Sequence, residues 1–316
     1  MSALPEKPEG ATLIDVCVCT YRRRYLEQTL RSLAALDLPR GLTVRVIVAD
    51  NDIWPSARRL VEALAAELPC EVRYIHCPAS NISLARNACL DAAGGDFLAF
   101  VDDDSTVSPG WLAKLVETAA ATGADAVLGP VHSVYAPSAP GWMRRGDFHS
   151  TRPVWTEGEI RTGYSGNVLL DRASPHVAGR HFNLGLGRSG GEDTEYFSHL
   201  HQSGGRIAYA PDAAAYEPVT QNRQQFSWLT KRRFRSGQTH GRLLAARHAV
   251  LPQACLAVAK AALSFGAALA FAPVAHLRNR QVLRGVMHAG VVSGLFGVRE
   301  IHLYGEETAE RRTHAA

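Results

Sequence analysis

Four short apolar runs near the start of the chain constrain its fold more than any other feature, because helical segments separate them and three of them end in polar residues. Leu13–Cys19 is apolar apart from Asp15 and ends at Thr20-Tyr21. Leu26, Leu30 and Leu33 then repeat on one helix face. Thr43–Ala49 ends at Asp50-Asn51-Asp52, and a helical stretch follows over Ser56–Leu68. Glu71–Cys77 leads into a helix over Ile82–Ala93, and Phe97–Val101 stops abruptly at Asp102-Asp103-Asp104. A helix over Pro109–Ala121 and a strand over Ala126–Val134 continue the pattern. Strands alternating with helices predict a parallel sheet covered on both faces, with ligands bound outside the carboxyl ends of its strands. Beyond an irregular stretch around residues 136–165, Asn167–Leu170 and Gly204–Ala210 read as strands. Between them a helix opens at Glu192-Asp193-Thr194-Glu195 and runs through His201.

Charge divides the chain differently. Its 316 residues hold 34 Lys and Arg against 30 Asp and Glu, a formal +4. Between Pro218 and Arg299 there is no acidic residue but there are twelve basic ones, so the rest of the chain carries −8. That asymmetry points to an anionic partner for the last third: phosphate, nucleic acid or a membrane surface. Within it, Ala254–Val274 is apolar but interrupted by Lys260, and Gly285–Val298 has 14 residues where a bilayer span needs about 20. Packed helices, or helices lying on a membrane face, are expected there. With 46% hydrophobic and 20% charged residues, disordered, collagen-like and disulfide-scaffold chains are excluded. The six cysteines include no C-x-x-C pair and read as reduced core residues of a cytosolic protein. The opening MSALPEKPEGATL has no basic stretch followed by an apolar one, so no signal peptide is expected.

Carboxylates mark the candidate chemistry. Asp102, Asp103 and Asp104 end an apolar strand, where they repel one another unless a cation is present. Alternate residues of an extended segment point the same way, so Asp102 and Asp104 can share Mg²⁺ or Mn²⁺ bridged to substrate phosphates. A solvated acidic turn capping the next helix is the simpler alternative. An EF-hand is excluded, because the sixth and twelfth loop positions would be Val107 and Ala113. Glu192, Asp193 and Glu195 follow the Gly190-Gly191 pair. They suit either the positive end of a helix or a general base acting on a hydroxyl. Thr20, Tyr21, Arg22 and Asp50 could hold a base and ribose. In N-I-S-L-A-R-N, Asn81 could cap a helix, while Arg86 could meet a diphosphate or lie on the surface. Trp228, Lys231, Arg232, Arg233 and Arg235 cluster in the basic third, as a solvated helix face or as phosphate ligands.

Taken in order, V-C-V-C-T-Y-R-R, V-I-V-A-D-N-D, N-I-S-L-A-R-N-A-C-L-D-A-A-G-G-D-F-L-A-F-V-D-D-D and G-E-D-T-E resemble the family 2 glycosyltransferases over about residues 13–217. The tail, with Glu217-Pro218-Val219 and W-L-T-K-R-R-F-R-S-G-Q-T, resembles the bacterial succinoglycan-type exopolysaccharide group. The resemblance implies a GT-A fold, a Rossmann-like mixed α/β sheet with helices on both faces, over residues 13–217. A disordered segment over residues 1–12, a basic helical extension over 218–299 and a polar tail over 300–316 complete the expected organisation. It further implies donor-binding roles for Thr20, Tyr21, Arg22, Asp50, Arg86, Asp102 and Asp103, with Asp50 facing the base and Arg86 near the diphosphate. Asp104 and Asp102 would hold Mg²⁺ or Mn²⁺, with Asp104 the direct ligand. Asp193 would be the catalytic base, with Glu192 beside it at the acceptor. Trp228, Arg232, Arg233 and Arg235 are candidates for phosphate or acceptor binding.

The implied reaction is inverting transfer of one sugar from a nucleotide-sugar, by resemblance a UDP-sugar, to a glycan or a lipid-diphosphate-linked acceptor. Q-x-x-R-W and the several transmembrane spans of processive synthases are lacking, which favours addition of a single sugar. Peripheral contact with an anionic membrane at its cytoplasmic face is expected, and nucleic acid is not, since no nucleic-acid-binding motif appears. Two positions depart from the family pattern: Asp52, where many relatives carry a small hydroxyl residue, and Glu217, where many carry a His. Two rival functions remain. F-V-D-D-D-S-T also fits the pattern of haloacid-dehalogenase-like phosphatases with Asp102 as nucleophile, although that motif normally ends the first strand of its domain. A non-catalytic GT-A-like binding subunit is the other.

Overall fold

The computed structural model describes residues 11–22 and 24–299. In chain order its elements are β1 (Thr12–Thr20), α1 (Leu26–Ala34), β2 (Leu42–Asp50), α2 (Arg58–Ala65), β3 (Glu71–His76), α3 (Ile82–Ala92), β4 (Phe97–Val101), β5 (Thr106–Val107), α4 (Trp111–Thr122), β6 (Ala126–Leu128), β7 (Val131–Val134), α5 (Gly141–Gly146), β8 (Trp155–Thr156), β9 (Glu159–Ile160), β10 (Asn167–Asp171), α6 (Glu192–Gln202), β11 (Ile207–Tyr209), β12 (Ala215–Pro218), α7 (Phe226–Ala245), α8 (Val250–Ala270) and α9 (Ala275–Leu295). They fall into two compact units. Of the described residues, one holds those up to His132 with Thr151–Gly187 and Glu192–Glu217; the other holds Ser133–Ser150, Arg188–Gly191 and those from Pro218 to Arg299.

The first unit is built on seven strands in the order β11-β6-β10-β4-β1-β2-β3. β1 is parallel to both β2 and β4, and β2 is parallel to β3, as helix-connected strands must be. β10 runs antiparallel to both β4 and β6, which corrects the all-parallel expectation from the alternating pattern and gives the mixed sheet of the GT-A resemblance. The reason lies in the chain before β10: the irregular stretch leading to it is not a single crossover helix, so nothing obliges parallel pairing. The predicted strand over Ala126–Val134 is broken in two at Gly129-Pro130. Asn167 holds that break, donating from Nδ2 to the Pro130 and Ala213 carbonyls at 2.9 and 2.8 Å while accepting from Trp111 Nε1 at 2.7 Å.

Residues that alternate along the strands fill two cores. Ile14, Val16, Val18, Val46 and Val48 face Leu26, Leu30 and Leu33 of α1 and Trp111 of α4. Cys17, Ile47, Ala49, Leu98 and Phe100 face Ala85 and Cys89 of α3 and Tyr196 and Phe197 of α6. Asp15, the one charge in the first strand, is fully buried and paired with Arg45 on β2 at 2.7 and 3.0 Å. It also accepts from the Gly94 and Gly95 amides at 2.7 Å each. A side chain at Gly95 would meet the Leu13 carbonyl at 2.6 Å, so this turn needs glycine.

The first strand begins at Thr12, inside the segment expected to be disordered; the rest of that expectation, residues 1–10, and the polar tail over 300–316 lie outside the described residues. All six cysteines are free, but only Cys17, Cys77 and Cys89 are buried; Cys255 is exposed, against the expectation of a core residue.

In the second unit α7 and α9 cross with backbones in contact. Side chains at Gly237 and Gly241 would meet the Met287 and Val291 carbonyls at 2.0 and 2.2 Å, and those at Gly290 and Gly294 would meet the Phe234 and Gln238 carbonyls at 2.1 Å each. α8 starts at Val250, earlier than the apolar run suggests, and is long and apolar enough to cross a membrane by length and composition despite Lys260. Leu251, Leu256, Val258, Leu263, Phe265 and Leu269 along it are exposed. The short apolar stretch from Gly285 belongs to α9, whose 21 residues also carry Arg278, Arg280 and Arg284.

Candidate active site

Strand register gathers the polar strand ends. Thr20 pairs with Asp50, and Asp50 with His76, so three strands end level and their loops meet at one edge of the sheet. Cys17 pairs with Phe100, which brings the acidic triplet after Val101 alongside the end of β1. There the Tyr21 amide donates to the Asp103 carboxylate at 3.3 Å, and the Thr29 hydroxyl donates to the Asp103 carbonyl at 3.1 Å. Asp103 and Asp104 are buried, and Asp102 is half-buried. Gly166 faces Asp102 so closely that a side chain there would lie 2.5 Å from its carboxylate.

The loops after β1 and β2 hold each other. Arg22, at φ 55°, grips Asp52 with two hydrogen bonds of 2.7 and 2.9 Å. A left-handed non-glycine residue costs of order 1–3 kcal/mol, so the surrounding contacts must hold it. The Arg22 cation, after burial's opposing push, keeps the Asp52 carboxyl below the usual carboxylate range. Asp52, left without a role by the family pattern, is thus the anchor of Arg22. Asp50 is fully buried, and its oxygens accept from the Asp52 amide at 3.1 Å, the Ala57 amide at 2.9 Å and the Tyr74 hydroxyl at 2.8 Å. The Thr20 hydroxyl is buried with no hydrogen-bond partner among the described residues. Asn51 accepts from the Asn81 amide at 2.9 Å, and Asn81 caps α3 by accepting from the Leu84 amide at 3.3 Å.

The deepest contact joins α3 to α6. Arg86 Nη1 donates to Glu192 Oε1 at 2.5 Å with both side chains about nine-tenths buried. Burial alone would depress the Arg86 guanidinium, but the Glu192, Asp193 and Asp102 carboxylates outweigh it and hold the group raised. The cation also lies over the Phe182 ring, 5.3 Å from its centre, and that ring stacks on Tyr196 at 4.4 Å. The segment carrying Phe182 is tied to α3 by Asn87, which donates to the Phe182 carbonyl at 2.9 Å and accepts from its amide at 2.7 Å. Asp193 begins α6, beside Glu192. Burial and the Glu192 charge push its carboxyl up to about 6, against the pull of Arg86. A carboxyl there is ionised at neutral pH yet basic enough to accept a proton.

The structure therefore brings Arg86, Glu192, Asp193 and Asp102 into one electrostatic cluster, and Tyr21 onto Asp103. Arg86 is engaged with Glu192 and Phe182. Sequence reasoning missed Phe182, Tyr74, Asn51 and Gly166. Only the aromatic at Phe182 and the glycine at Gly166 left a trace in the sequence, and neither pointed to its partner. Among the described residues no cluster of three or more His, Cys, Asp or Glu side chains could hold a metal ion. Trp228, Arg232, Arg233 and Arg235 belong to the second unit, on α7. Trp228 stacks on His149 at 5.3 Å, with Arg223 and Arg232 over its ring at 5.7 and 5.3 Å. Gly190 and Gly191 have φ of 83° and 95°, and side chains on them would meet Arg235 and Thr239 at 2.5 Å. The close approach that this glycine pair allows is therefore to α7.

A mixed sheet in this order, covered by helices and collecting carboxylates at its strand ends, is the GT-A architecture. The model of glycosyl transferase family 2 matches residues 15–176, and the chain belongs to that family; it is a glycosyltransferase. It is 58% identical over 301 residues to the succinoglycan biosynthesis protein ExoM of Rhizobium meliloti, covering 94% of this chain and 97% of that protein. It is 27% identical to a glucosyl-dolichyl phosphate glucuronosyltransferase of Haloferax volcanii, over 71% of this chain and 75% of that one. Among solved structures, S. aureus TarS in complex with UDP-GlcNAc matches with a TM-score of 0.53 at 17% identity, over 90% of this chain and 92% of that one. GalNAc-T7 with UDP, GalNAc and Mn²⁺ matches with a TM-score of 0.54 at 16% identity, over 71% of this chain and 47% of that one. These two likenesses show the fold alone. Family membership sets aside both the phosphatase and the non-catalytic readings.

Proposed function

We propose that this enzyme moves one sugar from a UDP-sugar to a hydroxyl of a glycan or lipid-linked acceptor during assembly of a cell-surface polysaccharide, with inversion at the anomeric carbon. The Asp193 carboxylate, raised to about 6 beside the Arg86–Glu192 pair, carries the reading. The likeness to ExoM supports polysaccharide assembly, and the TarS and GalNAc-T7 complexes support a UDP donor. Thr20, Tyr21 and Arg22 line the base and ribose, and Asp50 supports them from beneath by fixing the loop after β2. Asp193 takes the proton from the acceptor hydroxyl as its oxygen attacks the anomeric carbon. The bond to the diphosphate breaks on the opposite face, and the electron pair leaves with the nucleoside diphosphate. Glu192, locked by Arg86, positions the acceptor and keeps the base above its ordinary pKa.

Asp104 and Asp102, which follow β4, would hold a divalent ion of the Mg²⁺ or Mn²⁺ type, which keeps few protein carboxylates and completes its shell with substrate phosphates. When bound, such an ion offsets negative charge on the leaving diphosphate. The basic stretch from Pro218 to Arg299 seats the enzyme at the cytoplasmic face of an anionic membrane, each charge near the surface contributing about 1 kcal/mol. Salt-sensitive sedimentation with anionic liposomes tests the membrane contact, and its absence rejects it.

Asp193→Asn should lower kcat by about 10²–10⁴-fold while leaving UDP binding unchanged, and Asp104→Asn should weaken only the Mn²⁺-dependent part of that binding. Turnover assays and calorimetry with and without Mn²⁺ measure both. Near-normal turnover in Asp193→Asn sinks the assignment of the base.

A further inference from the structure

The second unit contains a cavity of about 270 Å³, where the end of α5 meets α7 and α9. Arg233, Arg280 and Arg284 line it, with Phe148, Leu283 and Met287 as its apolar wall. One carboxylate, Asp147, also faces it and accepts from the Ser150 hydroxyl at 2.6 Å. Three guanidiniums against one carboxylate leave the cavity cationic. Arg280 donates to the Gly146 carbonyl at 3.0 Å, and Arg233 to the Phe148 carbonyl at 3.4 Å. Among the described residues none of the three arginines makes an ion pair. Burial depresses the Arg233 guanidinium, and the neighbouring Arg232 adds to the effect. Arg233 is half-buried while Arg280 and Arg284 reach the open side of the cavity, and a bound anion offsets the partial loss of water around Arg233. The guanidinium fork matches phosphate oxygens in pairs.

We propose that this cavity is a binding site for a phosphate or diphosphate ester, with its oxygens on Arg233, Arg280 and Arg284 and its substituent against Phe148, Leu283 and Met287. The site deepens the function proposed above by locating the anionic part of an acceptor. It rests on that reading only for the ligand's role as substrate, because binding is measured without turnover.

The test uses the full chain in EDTA, which removes the divalent ion that the carboxylate site needs. Calorimetric titrations with inorganic pyrophosphate and with farnesyl diphosphate should both saturate. Arg280→Gln and Arg284→Gln should each weaken binding at least about tenfold, a value typical of a charge-assisted contact. Arg278→Gln, equal in charge but outside the cavity lining, should change it less than about twofold. Arg284→Lys keeps the charge without the fork and should fall between, which separates a lost contact from a misfolded variant. Tighter binding of farnesyl diphosphate assigns the site to a lipid headgroup, and equal binding to a free phosphate. No saturable binding of either probe, or equal losses in Arg278→Gln and Arg284→Gln, overturns the site. Binding that behaves as expected while Asp193→Asn retains turnover keeps the site and removes the catalytic reading, so the two fail separately.

Discussion

In the first unit Arg45 meets Asp15, Arg22 meets Asp52 and Arg86 meets Glu192, at 2.7, 2.7 and 2.5 Å. In the second, among the described residues, Arg233 and Arg280 donate to the carbonyl oxygens of Phe148 and Gly146, and Arg223 and Arg232 lie over the Trp228 ring. In the sheet unit these three cations are paired with carboxylates, and the pairs hold the strand-end loops and the start of α6. Between Pro218 and Arg299 there is no carboxylate, so Arg233 and Arg280 in that stretch turn to backbone carbonyls instead. The local density of carboxylates thus decides whether an arginine pairs with a carboxylate or with backbone carbonyls.

The largest expected effect breaks this contrast directly. Arg45→Met leaves Asp15 buried without its cation and should cost about 3–5 kcal/mol in urea unfolding, whereas Arg233→Met removes a cation that had no carboxylate and should change stability by less than about 1 kcal/mol or raise it. Equal losses would show that a carboxylate partner makes no difference to what an arginine contributes in either unit.

Next in size is a change that ignores charge. Gly95→Ala would drive a side chain to 2.6 Å from the Leu13 carbonyl, and Gly237→Ala to 2.0 Å from the Met287 carbonyl. Each should cost about 1–3 kcal/mol, because backbone rather than a flexible side chain must give way. A neutral Gly237→Ala in thermal unfolding would mean that α7 and α9 do not pack this closely.

The smallest effects are in pH dependence, where the two units carry opposite signs. The Asp193 carboxyl rises from 3.8 to about 6 on folding, so its contribution to stability is present below 3.8 and is lost as pH rises through about 6. His149 falls from 6.5 to about 4 through burial, so its contribution is present above 6.5 and is lost as pH falls toward 4. Acidification from pH 6.5 to 4 should therefore weaken the second unit, read by Trp228 fluorescence on its His149 stack. Over the same range kcat/KM should fall about tenfold per pH unit below about 6, as the base is protonated. An acid limb near pH 4 instead would place the base elsewhere.

Much of the first unit was legible because its signals are local. Short apolar runs located β1 to β4, and the abrupt polar endings at Thr20, Asp50 and Asp102 marked the edge where the site gathers. Asp15 interrupted an apolar run with no hint in its neighbours that Arg45, on the next strand, faces it. The antiparallel course of β10 was equally hidden from strand periodicity, which reports faces and says nothing of direction. At Arg86 the residue was found but not its partner, since 106 positions separate it from Glu192.

By itself the sequence determined the alternating α/β order, the carboxylates at the strand ends, the family and the acid-free last third, because each is carried by neighbouring residues or by composition. Only the tertiary structure decided that Asp193 shares the field of Arg86 and Glu192, that Arg22 leans on Asp52, and that Arg233, Arg280 and Arg284 line one cavity. Those depend on distance through space, and a hydrogen bond or a Coulomb interaction responds to ångströms between atoms rather than to positions along the chain.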